Sequence, residues 1–290
     1  MSLMTNKIQA YISLTRIDRP IGIYLVLWPA LWALWFASEG TPELSLLFIF
    51  VFGAILMRSA GCVINDYADR KFDGHVERTC NRPLATGVLS SKEALGFFAV
   101  LCLIAFGLVL TLNSLTVWLS FGALFLAALY PFTKRHTHWP QAFLGAAFAW
   151  AIPMAFAAVL NDVPWQVWPI FAVTLVWSLI YDTAYAVGDM QDDLKIGVKS
   201  TAILFGDKLV PWVGFFQLLM LGLLGWIGLL FSMGLPYFLS LLLVIIWFGY
   251  DLKRLTQNDS QIAFKVFLQN HWVGFIVLVG IAVDYALKTY

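Results

Sequence analysis

The chain has 290 residues, of which 61% are apolar and only 12% charged, against roughly a quarter charged in ordinary soluble domains. A soluble protein of this size could not hide so much apolar surface, whereas a bilayer solvates the outward faces of helices. A net charge of +1, with no basic tract, excludes nucleic acid as a partner. Thirteen Trp and ten Tyr suit a protein with two membrane interfaces.

Apolar runs fall at about 21–37, 43–64, 94–112, 114–131, 140–160, 165–187, 209–231, 235–251 and 270–287. Each is near the ~20 residues that span hydrocarbon as a helix. The first and eighth are short. Pro20, Pro29, Pro153 and Pro236 start or kink helices. The expected fold is an all-α polytopic membrane protein with nine transmembrane helices, residues 1–290 forming a single domain. Lys7, Arg16 and Arg19 interrupt the first twenty residues, so the N-terminus does not read as a cleaved signal peptide.

The connections alternate in charge. One set carries Lys7, Arg16 and Arg19, then Arg70, Lys71, Arg78, Arg82 and Lys92, then Lys134 and Arg135, then Lys195, Lys199 and Lys208, then Lys253, Arg254 and Lys265. The other set, at 38–42, near Asn113, at 160–164 and at 232–236, has no Lys or Arg. The positive-inside rule makes the first set cytoplasmic, with the N-terminus inside and the C-terminus outside. Of the 18 basic residues only Lys288 falls on the other side, and only Arg58 falls inside a span.

Cys62, Cys80 and Cys102 have no metal-ligand spacing and no even count for a disulfide framework, so they read as small apolar residues. His136 and His138 read as loop residues, because no third soft ligand is spaced with them.

Acidic residues gather in two places, both on the basic side. Asp66, Asp69 and Asp73 follow the second span; Asp182, Asp189, Asp192 and Asp193 end the sixth. On a continuous helix Arg58, Cys62, Asn65, Asp66, Asp69 and Asp73 fall within an arc of about 100°, and Asp182, Tyr185, Asp189 and Asp193 within about 80°. Gly188 interrupts the second pattern. Carboxylates crowded on one face repel and need a cation. Hard oxygen donors without His or Cys suit Mg²⁺, which shares its coordination with phosphate oxygens. Two such faces set opposite each other would clamp a diphosphate between metal ions. Scattered solvated acids would not fall into two helical patterns on one membrane side.

Arg58 lies about two turns deeper than Asn65, where an Arg faces a cavity or an acidic partner. It reads either as an anion site for a substrate carboxylate or phosphate, or as a structural ion-pair partner of a neighbouring Asp. The segments around Arg78-Thr-Cys-Asn-Arg82-Pro83 and Tyr130-Pro131-Phe-Thr-Lys134-Arg135 lie on the same side and could hold a diphosphate.

At these residues the sequence resembles the UbiA-type intramembrane prenyltransferases. The pattern N-D-x-x-D-x-x-x-D matches Asn65, Asp66, Asp69 and Asp73. Y-D-x-x-Y-A-x-x-D-x-x-D-D, followed by K-x-G-x-K-S-T, matches Tyr181 to Asp193 and then Lys195 to Thr201. Gln191 departs from a position often acidic in relatives, off the carboxylate face. The segments at Arg82-Pro83, at Tyr130 to Arg135 and at Arg16 to Gly22 also agree, so the resemblance covers nearly the whole chain.

The resemblance implies nine helices around a central cavity, in two pseudo-equivalent halves plus one helix. It implies Mg²⁺-dependent transfer of a polyprenyl chain from polyprenyl diphosphate to the ring carbon ortho to the phenol of 4-hydroxybenzoate, a step in ubiquinone biosynthesis in a bacterial inner membrane. Asp66, Asp69, Asp73, Asp182, Asp189 and Asp193 are then the expected catalytic and metal-ligating residues. Arg58, Asn65, Arg78, Arg82, Tyr130, Lys134, Arg135, Tyr185 and Lys199 are the expected substrate contacts. Another aromatic acceptor is the main alternative. A cation or proton transporter is a weaker one, since its acids belong at the midplane and these lie at one interface.

Overall fold

In the absence of water, a spanning segment must pair its backbone N–H and C=O groups internally. The apolar runs accordingly fold as helices in a computed structural model that describes residues 3–75 and 78–288. No strand occurs among the described residues. The order is α1 (Leu3–Thr15), α2 (Ile21–Ala37), α3 (Leu44–Asp69), a 3-10 turn at Asp73–His75, α4 (Ser91–Val109), α5 (Ser114–Thr133), α6 (Pro140–Ala149) and α7 (Ala151–Leu160). Then come α8 (Val167–Val187), α9 (Met190–Ile196), α10 (Thr201–Phe205), a 3-10 turn at Gly206–Lys208, α11 (Leu209–Leu230), α12 (Leu235–Leu255), α13 (Ser260–Gln269) and α14 (His271–Lys288).

Among the described residues eight helical segments are long and apolar enough to cross a membrane, and α2, at 17 residues, is a shorter ninth. The segments coincide with the nine runs expected from hydropathy. α6 and α7 form one span broken at Trp150; Pro153 removes the N–H that would bond the Ala149 carbonyl. Local chemistry sets several ends. Ser90 and Glu93 form a capping box at the start of α4, and the Asn113 side chain accepts the Thr116 N–H at the start of α5.

The helices depart from the hydropathy reading in places. α3 runs on to Asp69 rather than stopping near 64, because its last polar side chains are buried and paired instead of exposed. The short helices α1, α9, α10 and α13 lie outside the nine apolar runs.

α2 is apolar all round and buried along nearly its whole length, the mark of a central helix. It packs against α3, α6, α7, α8 and α14. One core cluster extends from Leu25 on α2 to Ile281 on α14, and a smaller one joins α1 to α3 and α4 through Leu14, Val63 and Leu101. Large apolar side chains such as Leu103, Trp118, Phe125, Leu218 and Ile246 face outward, as lipid contact requires.

A buried polar junction fixes the last helices to α8. The Trp177 indole N–H donates to Asn270 Oδ1 at 2.7 Å, and Asn270 Nδ2 donates to Asp251 Oδ2 at 3.2 Å. All three residues are fully buried. Replacing Asn270 by Leu strands both partners in an apolar interior. We expect Asn270→Leu to cost about 2–4 kcal/mol, read as a lowered Tm in detergent. An unchanged Tm would show that the junction contributes nothing to stability.

Candidate functional site: two cavities that meet at Arg58

α3 carries Asn65, Asp66 and Asp69 toward the basic end of the bundle and stops there. The chain then turns, with the Phe72 N–H bonded to the Asp69 carbonyl at 2.7 Å, and Asp73 opens the 3-10 turn. Asp73 therefore does not arrive on a continuing helical stripe, as the sequence pattern assumed; a turn delivers it. The returning segment secures it there. Arg82 Nη1 donates to both Asp73 oxygens at 3.0 and 3.1 Å, and the Thr79 hydroxyl donates to the Asp73 carbonyl at 3.0 Å. Burial pushes the Asp73 carboxyl above its ordinary range, with Arg82 opposing.

Asp66 behaves differently from its neighbours. It is 1% exposed. Arg16 Nη2 donates to its Oδ1 at 2.5 Å, and Arg82 Nη1 lies 3.1 Å from the same oxygen. It thus lies behind the cavity wall, neutralised by two arginines, rather than on the open face where a metal ligand was expected. Asp69 does face the cavity. Lys134 Nζ donates to its Oδ2, while its Oδ1 is buried without a hydrogen-bond partner.

The second acidic pattern breaks where Gly188 stands. α8 ends at Val187, and Asp189 precedes the short helix α9 that carries Asp193. Arg78 Nε donates to Asp189 Oδ1 at 2.8 Å and its Nη2 to Oδ2, a bidentate pair. The same guanidinium lies 4.6 Å above the Tyr185 ring. Burial, reinforced by Asp189, pushes the Asp193 carboxyl up to about 6. Neither Asp182 nor Asp193 has an ion pair among the described residues.

Both patterns open onto one polar cavity of about 250 Å³. From the first half come Arg58, Asn65, Asp69, Asp73, Arg78 and Arg82; from the middle, Tyr130 and Lys134; from α8 onward, Asp182, Tyr185, Asp189, Asp193 and Lys199. Asp66 and Arg135 are the two expected residues that do not line it. Arg135 instead donates to the Ala68 carbonyl at 2.6 Å and lies over Phe72 and Phe132, tying α5 to the end of α3. The Lys199 N–H donates to the Lys134 carbonyl at 2.9 Å, holding the segment after α9 against the end of α5.

Among the described residues no three His, Cys, Asp or Glu side chains gather closely enough to hold an ion by themselves. The donor set nonetheless fits a hard divalent cation that shares its shell with a ligand. It is all oxygen, one Asp69 oxygen is orphaned, and Asp182 and Asp193 carry no paired cation.

Several wall residues stand outside both acidic patterns. Arg16 belonged to a matching segment, but its partner Asp66 is 50 residues away. Gln141, 3% exposed, accepts the Thr201 N–H at 3.1 Å. Phe264 and Phe267, from α13, close the side next to Tyr185, with ring centroids of Tyr185 and Phe267 4.7 Å apart.

A second cavity, of about 300 Å³, has an almost wholly apolar lining from α2, α3, α4, α5, α6 and α7. Small residues such as Ala30, Gly53, Gly61 and Ala127 make its bore. Arg58, Tyr130 and Phe148 line both cavities and so form the collar between them. Tyr130 donates to Asn65 Oδ1 at 3.3 Å. Arg58 makes no hydrogen bond or ion pair among the described residues, and its guanidinium lies 5.6 Å from the Phe148 ring centroid. No carboxylate oxygen lies within ion-pair distance of it among the described residues.

The chain is similar over its length to known proteins. A 4-hydroxybenzoate octaprenyltransferase of Hydrogenovibrio crunogenus is 65% identical over 96% of this chain and 98% of its own. One from Hahella chejuensis is 55% identical over 97% and 94%. Among solved structures, a UbiA homolog from Aeropyrum pernix superposes with a TM-score of 0.78 at 23% identity, covering 89% of this chain and 97% of that one. A UbiA homolog from Archaeoglobus fulgidus, bound to GPP and Mg²⁺, gives 0.75 at 18% identity over 97% and 100%. The model of the UbiA prenyltransferase family matches residues 26–278, and with nearly nine-tenths of its length inside that match this chain belongs to the UbiA prenyltransferase family.

Proposed function

We propose that this chain transfers a polyprenyl group from polyprenyl diphosphate to the ring carbon ortho to the hydroxyl of 4-hydroxybenzoate, a step in ubiquinone biosynthesis. The observation that carries this reading is the pair of neighbouring cavities that share Arg58, Tyr130 and Phe148. A charged chamber adjoining an apolar one fits a molecule with an ionic head and a hydrocarbon tail. The names of the full-length relatives supply the acceptor.

In this reading the diphosphate occupies the polar chamber. Arg78, Arg82, Lys134 and Lys199 hold its oxygens, exchanging some of their present contacts with carboxylates for contacts with phosphate. Asp69, Asp73, Asp182, Asp189 and Asp193 would hold Mg²⁺ together with phosphate oxygens, and Asp66 supports them from behind by fixing Arg16 and Arg82. A bound Mg²⁺ supplies positive charge that stabilises the leaving diphosphate. The negative charge left on the diphosphate as the C–O bond breaks is also stabilised by the basic side chains already in place. The allylic carbon then lies at the collar, where Tyr130 and Phe148 exclude the water that would trap it. Arg58 holds the acceptor carboxylate beside it and so presents the ring.

The tail runs down the apolar chamber. Leu103, Phe121 and Leu124 line that chamber and are also 68%, 50% and 37% exposed, so the tail leaves to lipid between α4 and α5. Residues 1–290 work as one transmembrane unit, supported by the shared core from α2 to α14. The polar chamber faces the cytoplasm across a bacterial inner membrane with the N-terminus inside, because the basic connections lie at its end.

The test is purified protein with Mg²⁺, a polyprenyl diphosphate and radiolabelled 4-hydroxybenzoate. Label entering a lipid-soluble product only when both substrates and the metal are present supports the reading. Turnover with another aromatic acceptor and none with 4-hydroxybenzoate would reassign the acceptor. Ion flux in liposomes without turnover would overturn the transferase.

A further inference from the structure

Arg58 stands at the collar without a hydrogen bond or ion pair among the described residues. A long side chain with no polar partner is placed by what it packs against. One flank is the Phe148 ring. The other is Gly22, the second residue of α2, buried and on the wall of the polar chamber. A Cβ added at Gly22 would stand 2.6 Å from Arg58 Nη2 and 2.8 Å from its Cζ, closer than real Cβ contacts come.

Gly22 is not required by the backbone. It sits in regular helix, and it is not among the glycines with positive φ. Alanine is a better helix former than glycine at such a position. The group that must give way is the end of a flexible side chain. The substitution therefore leaves α2 sound and moves one thing, the guanidinium.

We infer that Gly22 is a positioning residue for recognition of an aromatic carboxylate: by having no side chain, it leaves the slot in which Arg58 presents its guanidinium at the junction of the two chambers. This rests on the proposed role of Arg58 as the holder of the acceptor carboxylate. The planar fork of an Arg binds a carboxylate through two parallel hydrogen bonds, so a displaced fork loses geometry while keeping its charge.

The experiment is a double-mutant cycle with Gly22→Ala and Arg58→Ala, reading kcat/KM for 4-hydroxybenzoate and KM for the polyprenyl diphosphate. Gly22→Ala is expected to lower kcat/KM for the acid roughly ten- to hundred-fold, the scale of a charge-assisted hydrogen bond. It should leave the diphosphate KM within about two-fold and the Tm unchanged. In the Arg58→Ala background the same substitution should have no further effect, because the side chain it displaces is gone. A fully additive loss in that background overturns the inference, and so does an equal rise in both KM values. Loss of folding in Gly22→Ala would mean a backbone role and would overturn it too. Arg58→Ala with normal kcat/KM for the acid removes the premise and the inference together, whereas a large loss in Arg58→Ala beside a silent Gly22→Ala defeats the inference alone.

Discussion

Asp69→Ala and Asp189→Ala are each expected to lower turnover by at least roughly 10²–10³-fold, the scale of losing one group that stabilises developing charge. The two residues reach the polar chamber from different elements, one at the end of α3 and the other ahead of α9. Each is already matched to a cation: Asp69 to Lys134, and Asp189 bidentately to Arg78. Removing either carboxylate subtracts a hard oxygen ligand and at the same time frees a positive side chain beside the diphosphate. The freed Lys or Arg would bind phosphate more tightly in the ground state without replacing the lost ligand, so KM for the diphosphate should change less than kcat. Excess Mg²⁺ should not restore the rate, because the missing ligand is part of the site geometry rather than of its affinity alone. Both variants should still insert in the membrane and elute as folded protein. Near-normal turnover in either one removes that residue from the essential set. Asp66→Asn is a contrasting case. Asp66 anchors Arg16 and Arg82 away from the open cavity, so its loss is expected to lower the Tm along with the rate.

Arg58→Lys should raise KM for 4-hydroxybenzoate by roughly ten-fold or more while leaving KM for the diphosphate nearly unchanged. Lysine keeps the charge but lacks the planar fork that binds a carboxylate bidentately. The depth of Arg58 argues for this assignment. Arg58 lies at the collar with Tyr130 and Phe148, whereas the acids and the other basic side chains line the polar chamber alone. A carboxylate there is poorly solvated and needs a fixed positive partner. No Asp competes for Arg58 within ion-pair distance among the described residues. If only the diphosphate KM rises in well-folded Arg58→Lys protein, Arg58 binds phosphate and the acceptor lies elsewhere.

Much of the molecule was legible in the sequence because lipid imposes a simple rule. A segment without water must satisfy its own backbone and face apolar atoms outward, so nine apolar runs became nine helical segments among the described residues, counting the shorter α2. Clustered carboxylates without an evident countercharge were equally legible, and both acidic patterns do reach one cavity. The tertiary structure decided which side chain meets which. Helical periodicity puts Asp66 and Asp73 on one stripe, but α3 ends at Asp69; Asp73 comes round by a turn, and Asp66 is closed off by two arginines. Those arginines, at positions 16 and 82, come from connections whose return path no local pattern encodes. The apolar chamber was invisible for a different reason. Its lining of Ala, Gly, Leu and Phe has the same composition as a lipid-facing surface, and only the packing of six helical segments makes it concave. The slot for Arg58 follows the same logic. A glycine at position 22 reads as an ordinary helix start until α3 lays a guanidinium against it. Hydropathy and spacing depend on neighbours along the chain and so determine the spans and the acids; the countercharges, the second chamber and the collar depend on neighbours in space.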